Sequence, residues 1–199
     1  MCLSTPLENF RKSLWSVPFS GDKHNWVVIA DGSQTADLNE VTIRVGKGDW
    51  FCFFPDRAPK CVVCDGHEPQ HGVMSPLLAC GKEHKHHCAC DAVIVHTKPE
   101  KLTVVFIELK SGRHSACDQF KSTRQFVLYA LGLLQEFGKG ELEMAKESYV
   151  VFRHKHTIDK RPTKVQSNWE SPDHPRDIRI KNGKHIDYIE LISPSAARS

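Results

Sequence analysis

The sequence predicts an α/β (α+β) fold: a mixed central sheet flanked by helices, interrupted by a Cys/His-rich insertion. Three observations carry this. Apolar runs of strand length stand before and after a single long helical pattern, an order that builds mixed sheets rather than bundles or all-β sandwiches. Two of those runs flank a short polar turn and read as a hairpin. Between Pro55 and His87 the apolar periodicity dissolves into Cys, His, Gly, Pro and Lys. A chain of 199 residues suffices for one domain with a proper core. We therefore expect one domain over residues 1–199, with the insertion at residues 55–90.

Each element has a local cause. A short helix is expected over Pro6–Leu14, with Thr5 as N-cap, Pro6 at the first helical position and Glu8 at N3. "NWVVIA", "EVTIRV" and "WFCFF" follow as strand-like runs separated by Gly, Asp and Ser, the pattern of a meander. "CDAVIVHT" and "KLTVVFIELK", joined around "KPEK", form the hairpin. The long helix runs from Ser115 to about Phe137, opening with a capping-box-like Ser115…Asp118 and closing at Gly138. Its second half is apolar nearly all round, which predicts substantial burial. "SYVVFRH" is a strand, and "IRIK-NG-KHIDYI" carries the Asn-Gly pair of a type I′ hairpin turn. There is no internal repeat and no low-complexity tract.

Composition narrows the class. Hydrophobic residues make up 40% and charged residues 26%, the balance of an ordinary globular protein. No segment approaches the roughly eighteen consecutive apolar residues of a membrane helix, so no membrane partner is expected. The N-terminal "MCLSTPLENFRKSLW" lacks the apolar stretch of a secretory signal. A cytoplasmic protein is expected, in which the eight cysteines serve as thiols or metal ligands rather than disulfides.

The chemistry centres on "VVFIELKSG", Val104 to Gly112, where an apolar strand sets a Glu and a Lys among its apolar residues. Alternate side chains of a strand point to opposite faces, so Glu108 and Lys110 share one face. Asp91 begins the preceding strand, with sixteen residues between it and Glu108. Antiparallel pairing can bring the two carboxylates side by side. Such a pair repels unless a cation sits between its members. A hard divalent ion answers that demand, and Mg²⁺ characteristically takes one or two protein carboxylates plus waters and phosphate oxygens. The backbone carbonyl of Leu109 could supply a further ligand.

Asp91…Glu108-Leu109-Lys110 resembles the catalytic signature of the PD-(D/E)XK nuclease superfamily, and the long helix adds Gln125-x-x-x-Tyr129, similar to the Gln-x-x-x-Tyr motif of its RecB-type members. The resemblance spans roughly Asp91 to Phe152 plus the first helix. It implies a restriction-endonuclease-like fold, Mg²⁺ or Mn²⁺ on Asp91 and Glu108, a water-orienting Lys110, and a supporting, substrate-contacting helix bearing Gln125 and Tyr129. It also implies an acidic residue on the first helix, for which Glu8 is the candidate. One departure stands out: the literal Pro-Asp pair occurs at Pro55-Asp56, upstream of the Cys/His stretch, while Cys90 precedes Asp91. Asp91 is preferred because it lies on the adjacent strand; Asp56 remains an alternative if the intervening stretch is an insertion within the site.

The Cys/His stretch has a logic of its own. Cys61-x-x-Cys64 at a tight turn presents two sulfurs to one tetrahedral metal, and a distant second pair would close the site. The stretch holds too few apolar residues to bury a core, so a bound metal would explain its folding. Structural Zn²⁺ on Cys61, Cys64, Cys80 and Cys88 is the preferred reading, with Cys90 and His84 as substitutes. An iron–sulfur cluster is the rival, because some RecB-type nucleases carry one; there most cysteines follow the long helix, whereas here none lies beyond Cys117.

Net charge is +3, but its distribution is uneven. Residues 152–184 hold nine Lys/Arg against four acids, leaving the rest of the chain slightly acidic. Concentrated positive charge is the footprint of a phosphate-binding surface. Arg153, Lys155, Arg179, Lys181 and Lys184 are the candidate nucleic-acid contacts, holding the backbone without reading sequence. The expected activity is metal-dependent phosphodiester hydrolysis, with DNA preferred over RNA and room left for a protein partner or a homodimer. The alternative is a non-catalytic, zinc-containing nucleic-acid-binding or adaptor module in which "ELK" is a structural ion pair.

Overall fold

Two mixed sheets and three helices make up the described part of this computed structural model, residues 4–14, 16–30, 37–57, 84–98, 101–112, 114–154 and 171–193. In chain order they are α1 (Thr5–Ser13), β1 (Phe19–Ser20), β2 (Trp26–Ala30), β3 (Glu40–Arg44), β4 (Trp50–Phe53), β5 (Ala92–Lys98), β6 (Lys101–Lys110), α2 (Cys117–Glu136), β7 (Glu143–His154), β8 (Arg176–Ile180), β9 (His185–Asp187) and α3 (Tyr188–Ile192). A 3₁₀ turn, Pro55–Arg57, follows β4. No helix among the described residues is long and apolar enough to cross a membrane.

The larger sheet has the order β1-β4-β5-β6-β7-β8. Strands β4, β5 and β6 run antiparallel, whereas β7 lies parallel to β6 and β8 parallel to β7. A parallel neighbour requires a crossover, and α2 provides it between β6 and β7. Leu7 and Phe10 of α1 and Phe120, Val127, Leu131 and Leu134 of α2 cover one face, against Val93, Val95, Val104, Phe106 and Tyr149. The other face, with Ile94, Val105, Ile107, Val150 and Phe152, packs on the small sheet and on Tyr188 and Leu191 of α3. With both faces covered, β5 and β6 carry the near-continuous apolar runs seen in the sequence.

Several elements differ from expectation for identifiable reasons. Ser4 rather than Thr5 is the N-cap of α1, since its carbonyl accepts the Glu8 N–H at 2.9 Å. Helix α2 starts at Cys117, its first turn set by the Ala116 carbonyl accepting the Phe120 N–H at 3.0 Å; Ser115 Oγ accepts the Cys117 N–H instead of capping through Asp118. Its far end matches: Gly138 adopts φ +62°, and the Gly138 and Lys139 amides close on the Gln135 and Leu134 carbonyls. The second half of α2 is only half buried, because one stripe suffices to cover the sheet; Tyr129 is 63% and Leu133 40% exposed.

The expected three-strand meander is divided between two sheets, as β2 and β3 pair with each other while β4 joins the larger sheet. The expected hairpin around Asn182-Gly183 does not form. Instead β8 lies beside β7 and β9 beside β3, order β2-β3-β9, so the turn hands the chain from one sheet to the other. Asn182 holds that crossing in place. Its Oδ1 accepts the Asn39 N–H and its Nδ2 donates to the Asp37 carbonyl, each at 2.8 Å.

Candidate active site

The period-2 alternation of β6 sends Val104, Phe106, Glu108 and Lys110 to the helix-covered face. In the β5–β6 ladder Ala92 lies opposite Ile107, so the next position of the antiparallel register sets Asp91 against Glu108. The contacts agree. The Asp91 N–H donates to Glu108 Oε2 at 3.2 Å, and the Leu109 N–H donates to Asp91 Oδ2 at 2.5 Å. Lys110 Nζ lies 2.6 Å from Glu108 Oε1. The three residues singled out by spacing therefore do converge, at the C-terminal end of β6. Leu109 adds a consequence: residues of a ladder direct their N–H and C=O to the same side, so its carbonyl also faces the Asp91 side.

The electrostatics are those of an incompletely compensated acid pair. Glu108 is only 4% exposed. Burial, then the neighbouring Glu108 charge, push the Asp91 carboxyl up to about 8 despite the opposing Leu109 N–H. Burial likewise raises Glu108, with Lys110 pulling it back. A third acid contributes. Asp56, on the 3₁₀ turn packed against β5, raises both carboxyls. The upstream Pro55-Asp56 pair is thus brought near the site even though it is remote in sequence.

Among the described residues, no three His, Cys, Asp or Glu side chains converge closely enough to form a metal centre by themselves. The donor set that is present consists of two carboxylates and a backbone carbonyl, all oxygen. It fits a hard divalent ion that keeps part of its shell as water or phosphate oxygen.

Residues that sequence reasoning missed hold the approach to Asp91. Thr123 Oγ1 accepts the Cys90 N–H at 3.0 Å, and Ser122 Oγ donates to the His86 carbonyl at 2.5 Å. The signal for Thr123 was present: it is a polar residue at helical spacing within the Phe120…Val127 apolar stripe. These two hydroxyls pin the segment entering β5 to α2, and Asp91 follows directly.

Other predicted residues fall elsewhere. Glu8 makes local ion pairs with Arg11 at 2.6 Å and Lys12 at 3.4 Å, and the Arg11 guanidinium holds its carboxyl below the usual range. It is part of α1's own surface. Gln125 stands about 200° around the helix from Thr123, and is exposed. It lines a cavity of about 550 Å³ between α2 and β7, with Lys121, Arg124, Lys146 and Glu147. Tyr129 is exposed on the same outward side, so the structure brings neither residue to the carboxylates.

The paired acids lie outside the lining of that cavity. Arg124 and Glu147 beside the cavity are mutually satisfied, at 2.7 and 2.9 Å.

Of the predicted zinc ligands, Cys61, Cys64 and Cys80 lie outside the described residues, as does Lys155. Cys88 is half-buried and His84 exposed. Cys90 is buried in the helix-side core with its thiol on the Ala92 carbonyl, and burial pushes that thiol well up. Arg179, Lys181 and Lys184 are exposed as expected. Arg153 is not: it is engaged by Asp177 at 2.9 Å and by main-chain carbonyls. No family model, no curated protein and no solved structure matches the chain.

Proposed function

We propose that this chain is a metal-dependent nuclease that hydrolyses phosphodiester bonds, with DNA as substrate. One observation carries the reading: two carboxylates, the buried Glu108 and the partly buried Asp91, are held together at a strand end with Lys110 Nζ 2.6 Å from one of them. Burying like charges side by side is costly, and a purely structural pair gains nothing from the second acid. The arrangement of α1, antiparallel β4-β5-β6, α2 and a parallel β7 supports the restriction-endonuclease-like assignment, since it supplies the mixed, helix-flanked sheet that the resemblance implies.

In this reading Asp91, Glu108 and the Leu109 carbonyl would hold Mg²⁺ or Mn²⁺. Such an ion, when bound, neutralises phosphate charge and makes water more acidic. Lys110 orients the attacking water and offsets charge developing on the phosphate oxygens. Glu108 in turn restrains the Lys110 ammonium, and the Leu109 N–H fixes one Asp91 oxygen, leaving the other for the ion. Exposed Arg179, Lys181 and Lys184 hold the nucleic-acid backbone. Within residues 55–90 a structural Zn²⁺ would be held by Cys61, Cys64, Cys80 and Cys88; metal analysis of the purified protein tests this, with about one zinc per chain expected.

The deciding experiment is incubation with plasmid and single-stranded DNA in Mg²⁺, Mn²⁺ or EDTA. Cleavage that requires metal and disappears in Lys110→Ala is the expected result. Stoichiometric binding without turnover would make the protein a binding module.

A further inference from the structure

We infer that Arg153 is a positioning residue for the catalytic lysine rather than a contact to nucleic acid. The inference rests on the nuclease reading above. Arg153 lies on β7 directly beside Lys110 in the parallel β6–β7 ladder. Its side chain is only 18% exposed, and its guanidinium is spent on three acceptors from two directions. Nε donates to Asp177 Oδ1 of β8 at 2.9 Å. The two terminal nitrogens donate to the carbonyls of Gly112 and, at 3.2 Å, His114.

Those carbonyls belong to the link that leaves Lys110 and enters α2. At one end this link carries the lysine. At its other end begins the helix whose Ser122 and Thr123 hold the chain approaching Asp91. One planar fork therefore fixes the exit of the strand bearing Glu108 and Lys110 and the entrance of the helix that steadies Asp91. Lys110 has a long, flexible stem, so the place of its ammonium depends on where its own Cα is held. A lysine at position 153 would keep the charge but could not spread donors to a carboxylate and two carbonyls at once. With Asp177 beside it, the guanidinium's charge is already answered within the protein.

The test compares Arg153→Lys with the parent protein in Mg²⁺-dependent cleavage. We expect kcat to fall by roughly tenfold to a hundredfold, the scale of a misplaced catalytic group. KM and the salt dependence of binding should stay within about twofold of the parent, using the mass-action scale on which one lost phosphate contact changes the log–log slope by about one. A raised KM and a flattened slope with kcat kept would identify a phosphate contact and overturn the inference, as would unchanged kinetics.

Hydrogen exchange over residues 111–116 reads the same hub without substrate, and Arg153→Lys should accelerate it there while the strands keep their protection. Unchanged protection overturns the inference whether or not the protein cleaves DNA. Absence of Lys110-dependent cleavage in the parent counts against the nuclease reading alone. Should Arg153→Lys fail to fold, Asp177→Asn loosens the hub from the other side, and unaltered kcat and exchange in that variant would equally overturn it.

Discussion

Two places on this molecule set wholly or partly buried acidic side chains against the same sheet, and they handle the charge in opposite ways. Beside α2, Glu147 receives a two-pronged guanidinium from Arg124 and the Tyr149 hydroxyl. One negative charge meets one positive charge, and the hydrogen bonds are complete. At the end of β6, Asp91 and Glu108 share a single ammonium, with Asp56 nearby adding to the excess. The first arrangement is what a structural ion pair looks like. The second is held together by the fold despite its electrostatics: without a cation its acids resist ionisation, and a site of that kind is suited to receive one.

The largest separation of the two regions should come from activity. Asp91→Ala, Glu108→Ala and Lys110→Ala should each reduce cleavage by about a thousandfold, the upper range for loss of a charge-stabilising group, without loss of folding. Glu147→Gln should leave kcat per folded molecule unchanged. Full activity in Asp91→Ala with loss in Asp56→Ala would reassign the first carboxylate.

Stability against pH should separate them next. The Asp91 carboxyl titrates higher in the folded chain than in the unfolded one, so the folded state holds that proton more tightly. Its contribution is fully present below about pH 4 and is lost as pH rises through about 8. Metal-free Asp91→Asn should consequently be more stable than the parent at pH 7, by about 2–4 kcal/mol. Mg²⁺ or Mn²⁺ should raise the Tm of the parent but not of this variant. A parent protein whose urea-unfolding midpoint is flat from pH 4 to pH 8 would remove the claim of an unmet charge.

At the other centre the sign reverses. Arg124→Ala leaves Glu147 without its guanidinium and should destabilise the protein by about 1–3 kcal/mol, measured by denaturant unfolding, with no change in metal dependence. The smallest effect belongs to the exposed cations. Changing Arg179, Lys181 and Lys184 together to Ala should flatten the salt dependence of DNA binding by about two to three in log–log slope while barely moving Tm. An unchanged slope would make them ordinary solvated surface.

How much of this could be read from the chain follows from the range of the forces involved. The Asp91–Glu108–Lys110 cluster was legible because two adjacent strands and a two-residue period determine it, and both are local. The approach of Asp56 could be read only as an alternative, since β4 and β5 pair although nearly forty residues of chain lie between them. The Asn182-Gly183 pair gave a true turn and a false hairpin: a turn is decided by its own residues, but each flanking strand chose a partner far away in sequence. The surroundings of Arg153 were out of reach for a related reason. A run of Lys and Arg reveals charge, whereas its engagement by Asp177 and two carbonyls exists only in three dimensions. Gln125 and Tyr129 match a motif by spacing, yet helix phase turns them outward, as the position of Thr123 requires.

The Asn182-Gly183 crossing also bears on the order in which the protein can assemble. Strands β2 and β3 can pair as soon as both exist, but their parallel neighbour β9 arrives much later in the chain. Arg44 and Asp187, joined at 2.7 Å, are separated by 143 residues. Closing so large a loop costs entropy before any contact rewards it, and pairings of this kind slow folding. Until β9 docks, one edge of β3 keeps its N–H and C=O groups open to any other strand. During synthesis the nascent chain therefore carries a half-finished small sheet while the larger one, with its carboxylates already opposed, can take shape. The last strand acts as a late closing step for the small sheet, and misassembly should begin at the edge it covers.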